Sequence, residues 1–146
     1  MADSARATPP SDRQNAERMR TARKRVVERL VDEVMNAGRL DVLDQLYTPE
    51  MAPAARRWIA PFRASFPDVR METVTLVVED DTVVARFLCT GTHLGRWRGH
   101  EPTGRRFRVD EVYFFEFTDV RVARAWGIED TFKRLRQLGL LGAADG

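Results

Sequence analysis

The chain has 146 residues, 43% hydrophobic and 32% charged, with 24 basic residues against 22 acidic ones and a formal charge of +2. That length suits one domain with a sizeable core, and no apolar run approaches the ~18 residues of a membrane span. A pI near 9.1 would suit nucleic acid, but basic and acidic residues alternate along most of the chain, so neither a nucleic-acid nor a membrane partner is expected.

The first 14 residues, MADSARATPPSDRQ, lack the apolar stretch of a secretory signal and are rich in Ala, Ser, Pro and charge. A disordered arm over 1–14 and cytoplasmic residence are expected, with a single domain over 15–141 and a short tail over 142–146. Ser11 and Gln14 have capping-box spacing. Met19, Ala22, Val26, Val27, Leu30, Val31, Val34 and Met35 then recur at helical period and predict a long first helix, stopped at Asn36-Ala37-Gly38. Leu40, Leu43, Leu46 and Tyr47 mark a short second helix. Trp58, Ile59, Phe62 and Phe66 share one face of a third, which Pro61 should kink and Pro67 should end.

After Pro67 the residues become β-branched and aromatic over 69–78, 82–92, 105–117 and 120–128, four strands in all. The links Glu79-Asp80-Asp81 and Thr118-Asp119 are short enough to force antiparallel pairing. Phe132, Leu135 and Leu138 have helical spacing and predict a closing helix ended by Gly139 or Gly142. Helices first and an antiparallel meander afterwards give an α+β domain with helices on one face of a sheet.

GHEPTGRR, from Gly99 to Arg106, repeats the glycine spacing of a phosphate-binding loop, yet arginines replace the lysine and hydroxyl that such a loop needs. It also leads into a strand rather than a helix, so a nucleotide site is set aside. Serine-nucleophile chemistry lacks its motif. His93 and His100 lie apart in a glycine-containing loop and suit a backbone bond or solvent better than a metal, so no metal is expected. Cys89 has the setting of a buried thiol acting as a small hydrophobe.

The third strand is more informative. Its alternation puts Val109, Glu111, Tyr113, Phe115 and Phe117 on one face and Asp110, Val112, Phe114 and Glu116 on the other. On the helix-covered face, Glu111 beside Tyr113 is the candidate acid/base pair, since desolvation raises a carboxyl pKa toward neutrality. The alternative is a structural Glu paired with an arginine such as Arg86. An apolar small molecule would be held against Tyr47, Trp58, Phe62, Phe87 and Phe115. On the other face Val112 and Phe114, with Val122 and Trp126 of the next strand, are expected to meet a second copy in a homodimer.

Four segments carry a family resemblance: MNAGRLDVLDQLYTPE from Met35, FRASFPDVR from Phe62, GTHLGRWRGHEPTGRR from Gly91 and WGIEDTFKRLRQLGL from Trp126. In order and over roughly residues 17–141, they resemble the SnoaL-like polyketide cyclase or ester cyclase family of the nuclear-transport-factor-like cone fold. The resemblance implies a pocket between helices and curved sheet, a homodimer, and cofactor-free proton transfer next to a carbonyl. In such cyclases an aspartate on the last strand is the general acid/base. Here its position falls on Gly127, a histidine position of the third strand falls on Tyr113, and a pocket amide falls on Glu111. The loop after the second helix is shortened to MAPAARR, and Glu101 replaces a family proline. Two readings follow. One is an enzyme of secondary metabolism performing cyclisation, isomerisation or dehydration through Glu111 and Tyr113; the other is a catalytically inactive, ligand-binding member of the same fold.

Overall fold

A computed structural model describes residues 9 and 11–142. The Ser11 hydroxyl accepts a bond from the Gln14 N–H at 3.2 Å, and the Gln14 side chain accepts one from the Ser11 N–H at 2.9 Å. This reciprocal cap starts α1 (Asp12–Arg29) inside the arm expected over 1–14; residues 1–8 and 10, and most of the expected tail, lie outside the described residues. Without a break, α1 passes into a π-helical segment, Leu30–Asn36, which buries Leu30, Val31, Val34 and Met35. Such widened turns are rare and concentrate at functional sites. Asn36 then fixes the helix end to the sheet, donating to the Met71 carbonyl at 3.0 Å and accepting from the Met71 N–H at 2.7 Å.

The short α2 (Leu43–Leu46) and the longer α3 (Ala52–Ser65) follow. α3 runs through Pro61 and ends at Ser65, with Phe66 as its cap and Pro67 following. The strands are β1 (Arg70–Glu79), β2 (Thr82–Thr92), β3 (Arg106–Thr118) and β4 (Arg121–Glu129). They form one antiparallel sheet in the order β1-β2-β3-β4. Asp80 and Asp119 adopt positive φ at the two hairpin ends, a conformation that Asp tolerates better than most residues. The expected α+β architecture is therefore observed, with α1 to α3 against one sheet face.

The alternation on β3 is as expected: Phe107, Val109, Glu111, Phe115 and Phe117 are buried toward the helices. Val122 is a correction. It is fully buried and pairs with Phe117, because a bulge between the Glu116 and Phe117 pairs shifts the parity of β4. Only beyond that irregularity do Trp126 and Ile128 face outward, opposite Phe114 and Val112. α4 (Thr131–Gln137) is capped by Asp130 and ended at Gly139, φ +71°. Its buried side is Arg134 with Leu138, while Phe132, one of the residues whose spacing predicts the helix, is 65% exposed.

Candidate functional site

The glycine-punctuated loop after β2 is fastened to the end of α3, beside the site, by backbone bonds rather than side-chain chemistry. Leu94 and Gly95 both donate to the Ser65 carbonyl, at 3.1 and 3.0 Å, and the Ser65 hydroxyl donates to the Arg96 carbonyl at 2.6 Å. A Cβ at Gly95 would lie 2.3 Å from the Ala64 carbonyl oxygen, so only glycine permits this approach. The loop thereby presents Trp97 beside the end of α3. His93 is fully buried behind it, its Nδ1 accepting from the Thr103 N–H at 3.2 Å. Burial lowers its pKa, so it stays neutral in a structural role.

Between the helices and the sheet lies a cavity whose wall includes Trp58, Phe62, Phe87, Phe115, Glu111 and Tyr113, with Glu129 beside them. Every side chain predicted for the site is thus brought together except Tyr47. That tyrosine is 1% exposed and packs in the core, where its backbone bridges to Val122. Its hydroxyl has no hydrogen-bond partner among the described residues. The free volume is only about 20 Å³, room for about one water molecule. Trp58 closes it from the α3 side, its ring parallel to that of Tyr113 with centroids 6.0 Å apart.

Glu111 is 3% exposed and its partner is not Arg86, which instead pairs with Asp110 on the outer face at 3.0 Å. Glu111 accepts from Arg134 at 2.5 Å, and the same guanidinium donates to Glu129 at 2.9 Å. Glu111 and Glu129 are direct neighbours across β3 and β4. The Tyr113 hydroxyl donates to the other Glu129 oxygen, so one arginine, two carboxylates and a phenol form a continuous chain. Arg134 is fully buried, its guanidinium 4.6 Å from the Phe107 ring centroid and 5.3 Å from that of Phe62.

Two carboxylates around one guanidinium carry an excess negative charge when all three are ionised. Burial, reinforced by Glu129 and opposed by Arg134, pushes the Glu111 carboxyl up to about 7. Burial and the neighbouring carboxylates raise the Tyr113 phenol well above its usual range, so it remains a proton donor. Burial alone would lower the Arg134 guanidinium, but Glu111 and Glu129 outweigh it and keep the cation. The arrangement can hold a proton on Glu111 near neutrality and a second one between Tyr113 and Glu129, while the guanidinium between the two carboxylates, which has no acceptor, fixes them without relaying a proton.

Glu129 and Arg134 escaped the sequence reading. The cross-strand pairing of Glu111 with Glu129 depends on the β3–β4 register, and Arg134 stands where spacing favoured Phe132. A four-residue interval between Arg134 and Leu138 was the available signal.

The position expected for an acid, Gly127, lies directly opposite Tyr113 on β4. A Cβ there would come within 2.5 Å of the Tyr113 ring. The ring therefore occupies the space that an aspartate side chain would need.

Comparison with known proteins gives a family match over residues 25–138, to the model described as SnoaL-like polyketide cyclase. Aklanonic acid methyl ester cyclase AcmA of Streptomyces galilaeus is 29% identical over 114 residues, 78% of this chain and 77% of that protein. Nogalonic acid methyl ester cyclase of Streptomyces nogalater is 31% identical over 120 residues, 71% of this chain and 88% of that protein. Among solved structures, TsrD from Streptomyces laurentii superposes with a TM-score of 0.79 at 28% identity, covering 84% of this chain and 98% of its own.

Proposed function

The chain belongs to the SnoaL-like polyketide cyclase family, and on that premise we propose that it is a cofactor-independent enzyme that isomerises or cyclises a polyketide-like substrate by proton transfer next to a carbonyl. The observation that carries this reading is the buried Glu111–Arg134–Glu129–Tyr113 chain on the wall of one cavity. It supplies a carboxylate pair in place of the single aspartate whose position is Gly127.

For an aldol closure the balance is internal to the substrate. A carboxylate of the pair takes the proton α to one carbonyl, and the enolate carbon forms a bond to a second carbonyl carbon. The resulting alkoxide receives a proton from the pair or from Tyr113, and the mass is unchanged. Arg134 compensates charge throughout. With room for about one water, the cavity admits a reacting carbonyl only when Trp58 or Phe62 changes rotamer.

The outer sheet face supports a homodimer. Trp126 is 49% exposed and stacks flat on Phe114 with centroids 4.3 Å apart, beside Ile128 at 66% exposure. A contiguous apolar surface of this kind favours self-association about a two-fold axis.

The test is incubation of purified protein with aklanonic acid methyl ester and nogalonic acid methyl ester, the compounds in its relatives' names. Chromatography with mass detection should show a product of unchanged mass, formed at least ~10²-fold more slowly by Glu111→Gln. Saturable binding of both esters with no turnover would favour the second reading, a ligand-binding member without catalysis.

A further inference from the structure

Outside the closed cavity, between α3 and the loop that follows β2, lies an open cleft of about 410 Å³. Its aromatic walls are Trp58, Phe62 and Trp97, its rim carries Arg96 and Arg98, and Glu129 lies at the boundary with the inner cavity. Trp58, Phe62 and Glu129 thus line both spaces.

The rim is built at a conformational cost. Trp97 and His100 exchange backbone bonds at 3.0 and 2.8 Å, and the two residues between them have positive φ, +49° at Arg98 and +78° at Gly99. This is a tight turn whose first central position strongly prefers Asn or Gly. Arginine there is strained, and strain of this kind concentrates where a side chain is needed for function. The Arg98 guanidinium lies 5.1 Å from the Trp97 ring centroid, and no carboxylate of the described residues pairs with it. Arg96 faces Glu101 only at 3.6 Å, with both side chains largely exposed.

We propose that this cleft is a binding subsite for a planar, conjugated anion, its ring system lying against Trp58 and Trp97 and its acidic group meeting Arg98 and Arg96. The proposal rests on the enzymatic reading above, since it places the bulk of the substrate outside the cavity and only the reacting carbonyl against Glu129. Trp58, 40% exposed, offers a ring face for stacking a flat ring system, and Trp97, whose ring carries the Arg98 and Arg134 guanidinium groups at 5.1 and 6.0 Å, bounds the other side. The two guanidinium groups at the rim select charge and steer an anion toward the cleft.

The probe pair is naphthalene-2-carboxylate and its neutral amide, neither of which can undergo the proposed reaction. Titration of the full chain is followed by NMR at the indole N–H signals, with Trp126 on the far face of the sheet as the internal control. The expected result is a shift of the Trp58 and Trp97 signals with Trp126 unmoved, and at least ~5-fold tighter binding of the carboxylate than of the amide. Arg98→Asn, which suits positive φ, combined with Arg96→Gln should abolish that preference while leaving the thermal midpoint unchanged or raised. Glu129→Gln should tighten carboxylate binding by removing a neighbouring negative charge. Equal affinity for the two probes, a preference surviving the double variant, or shifts confined to Trp126 would each overturn the proposal. Because neither probe reacts, these outcomes are independent of whether the esters are turned over.

Discussion

Tyr113 and Gly127 are a matched pair: the phenol ring lies across the glycine so closely that a Cβ on residue 127 would meet its Cδ1 at 2.5 Å. The smallest residue and one of the largest together fill a space that two medium side chains could share. Gly127→Ala should therefore destabilise the fold by about 1–3 kcal/mol through overpacking. Combined with Tyr113→Leu, which withdraws the ring, its cost should fall by at least ~0.5 kcal/mol. Urea denaturation of the two single variants and the double variant measures this coupling, and strict additivity would disprove it. Gly127→Asp alone should not restore a family-like acid.

The raised Glu111 carboxyl makes stability depend on pH in a definite direction. In the folded state Glu111 keeps its proton up to about 7, whereas an unfolded Glu releases it near 4.3. Between those values the folded state binds more protons, so stability falls as pH rises through the window, by at most ~1.4 kcal/mol per pH unit for one proton. Glu111→Gln removes the titration while its amide oxygen still accepts from Arg134. Denaturation midpoints measured from pH 4.5 to 7.5 should decline less steeply in this variant than in the wild type.

Among the described residues, Arg134 is the only cation in contact with two carboxylates at the site. Measured at pH 8, above the Glu111 titration, Arg134→Met should cost about 3–5 kcal/mol, because the ionised Glu111 is left buried without its counter-charge. Arg134→Lys should recover only part of that loss, since an ammonium cannot span both acids with a planar fork. Adding Glu111→Gln to Arg134→Met should restore stability, and thermal melts of the three variants provide the check.

Ile128→Arg, alone or with Trp126→Glu, should convert the proposed dimer to a monomer without changing the far-ultraviolet circular dichroism spectrum. Light scattering after size exclusion at micromolar concentration reads the mass directly. A wild-type chain that is already monomeric there would contradict the dimer.

How much of this was legible in the chain differs from residue to residue. Period-two alternation assigned Glu111 and Tyr113 to the covered face because side-chain direction in a strand is fixed by parity alone. Parity failed at Val122, where the β4 bulge adds a residue that no composition signal marks. Helical spacing failed at Arg134 for another reason. An arginine can bury its stem and stack its flat head on aromatic rings, so the charged Arg134 is the buried residue of a helix whose apolar Phe132 is exposed. Tyr47 was grouped with the pocket aromatics by type, yet its place just after α2, in extended conformation, puts it beside Val122 rather than at the cavity.

The backbone contacts that tie Leu94, Gly95 and Arg96 to Ser65 have a consequence for anyone exchanging parts among relatives. FRASFPDVR and GTHLGRWRGHEPTGRR are distant in the chain but behave as a single cassette, since the second presses its backbone onto the last turn of the first. A transplanted loop will keep Trp97 and Arg98 in position only when it travels with its own copy of that helix end.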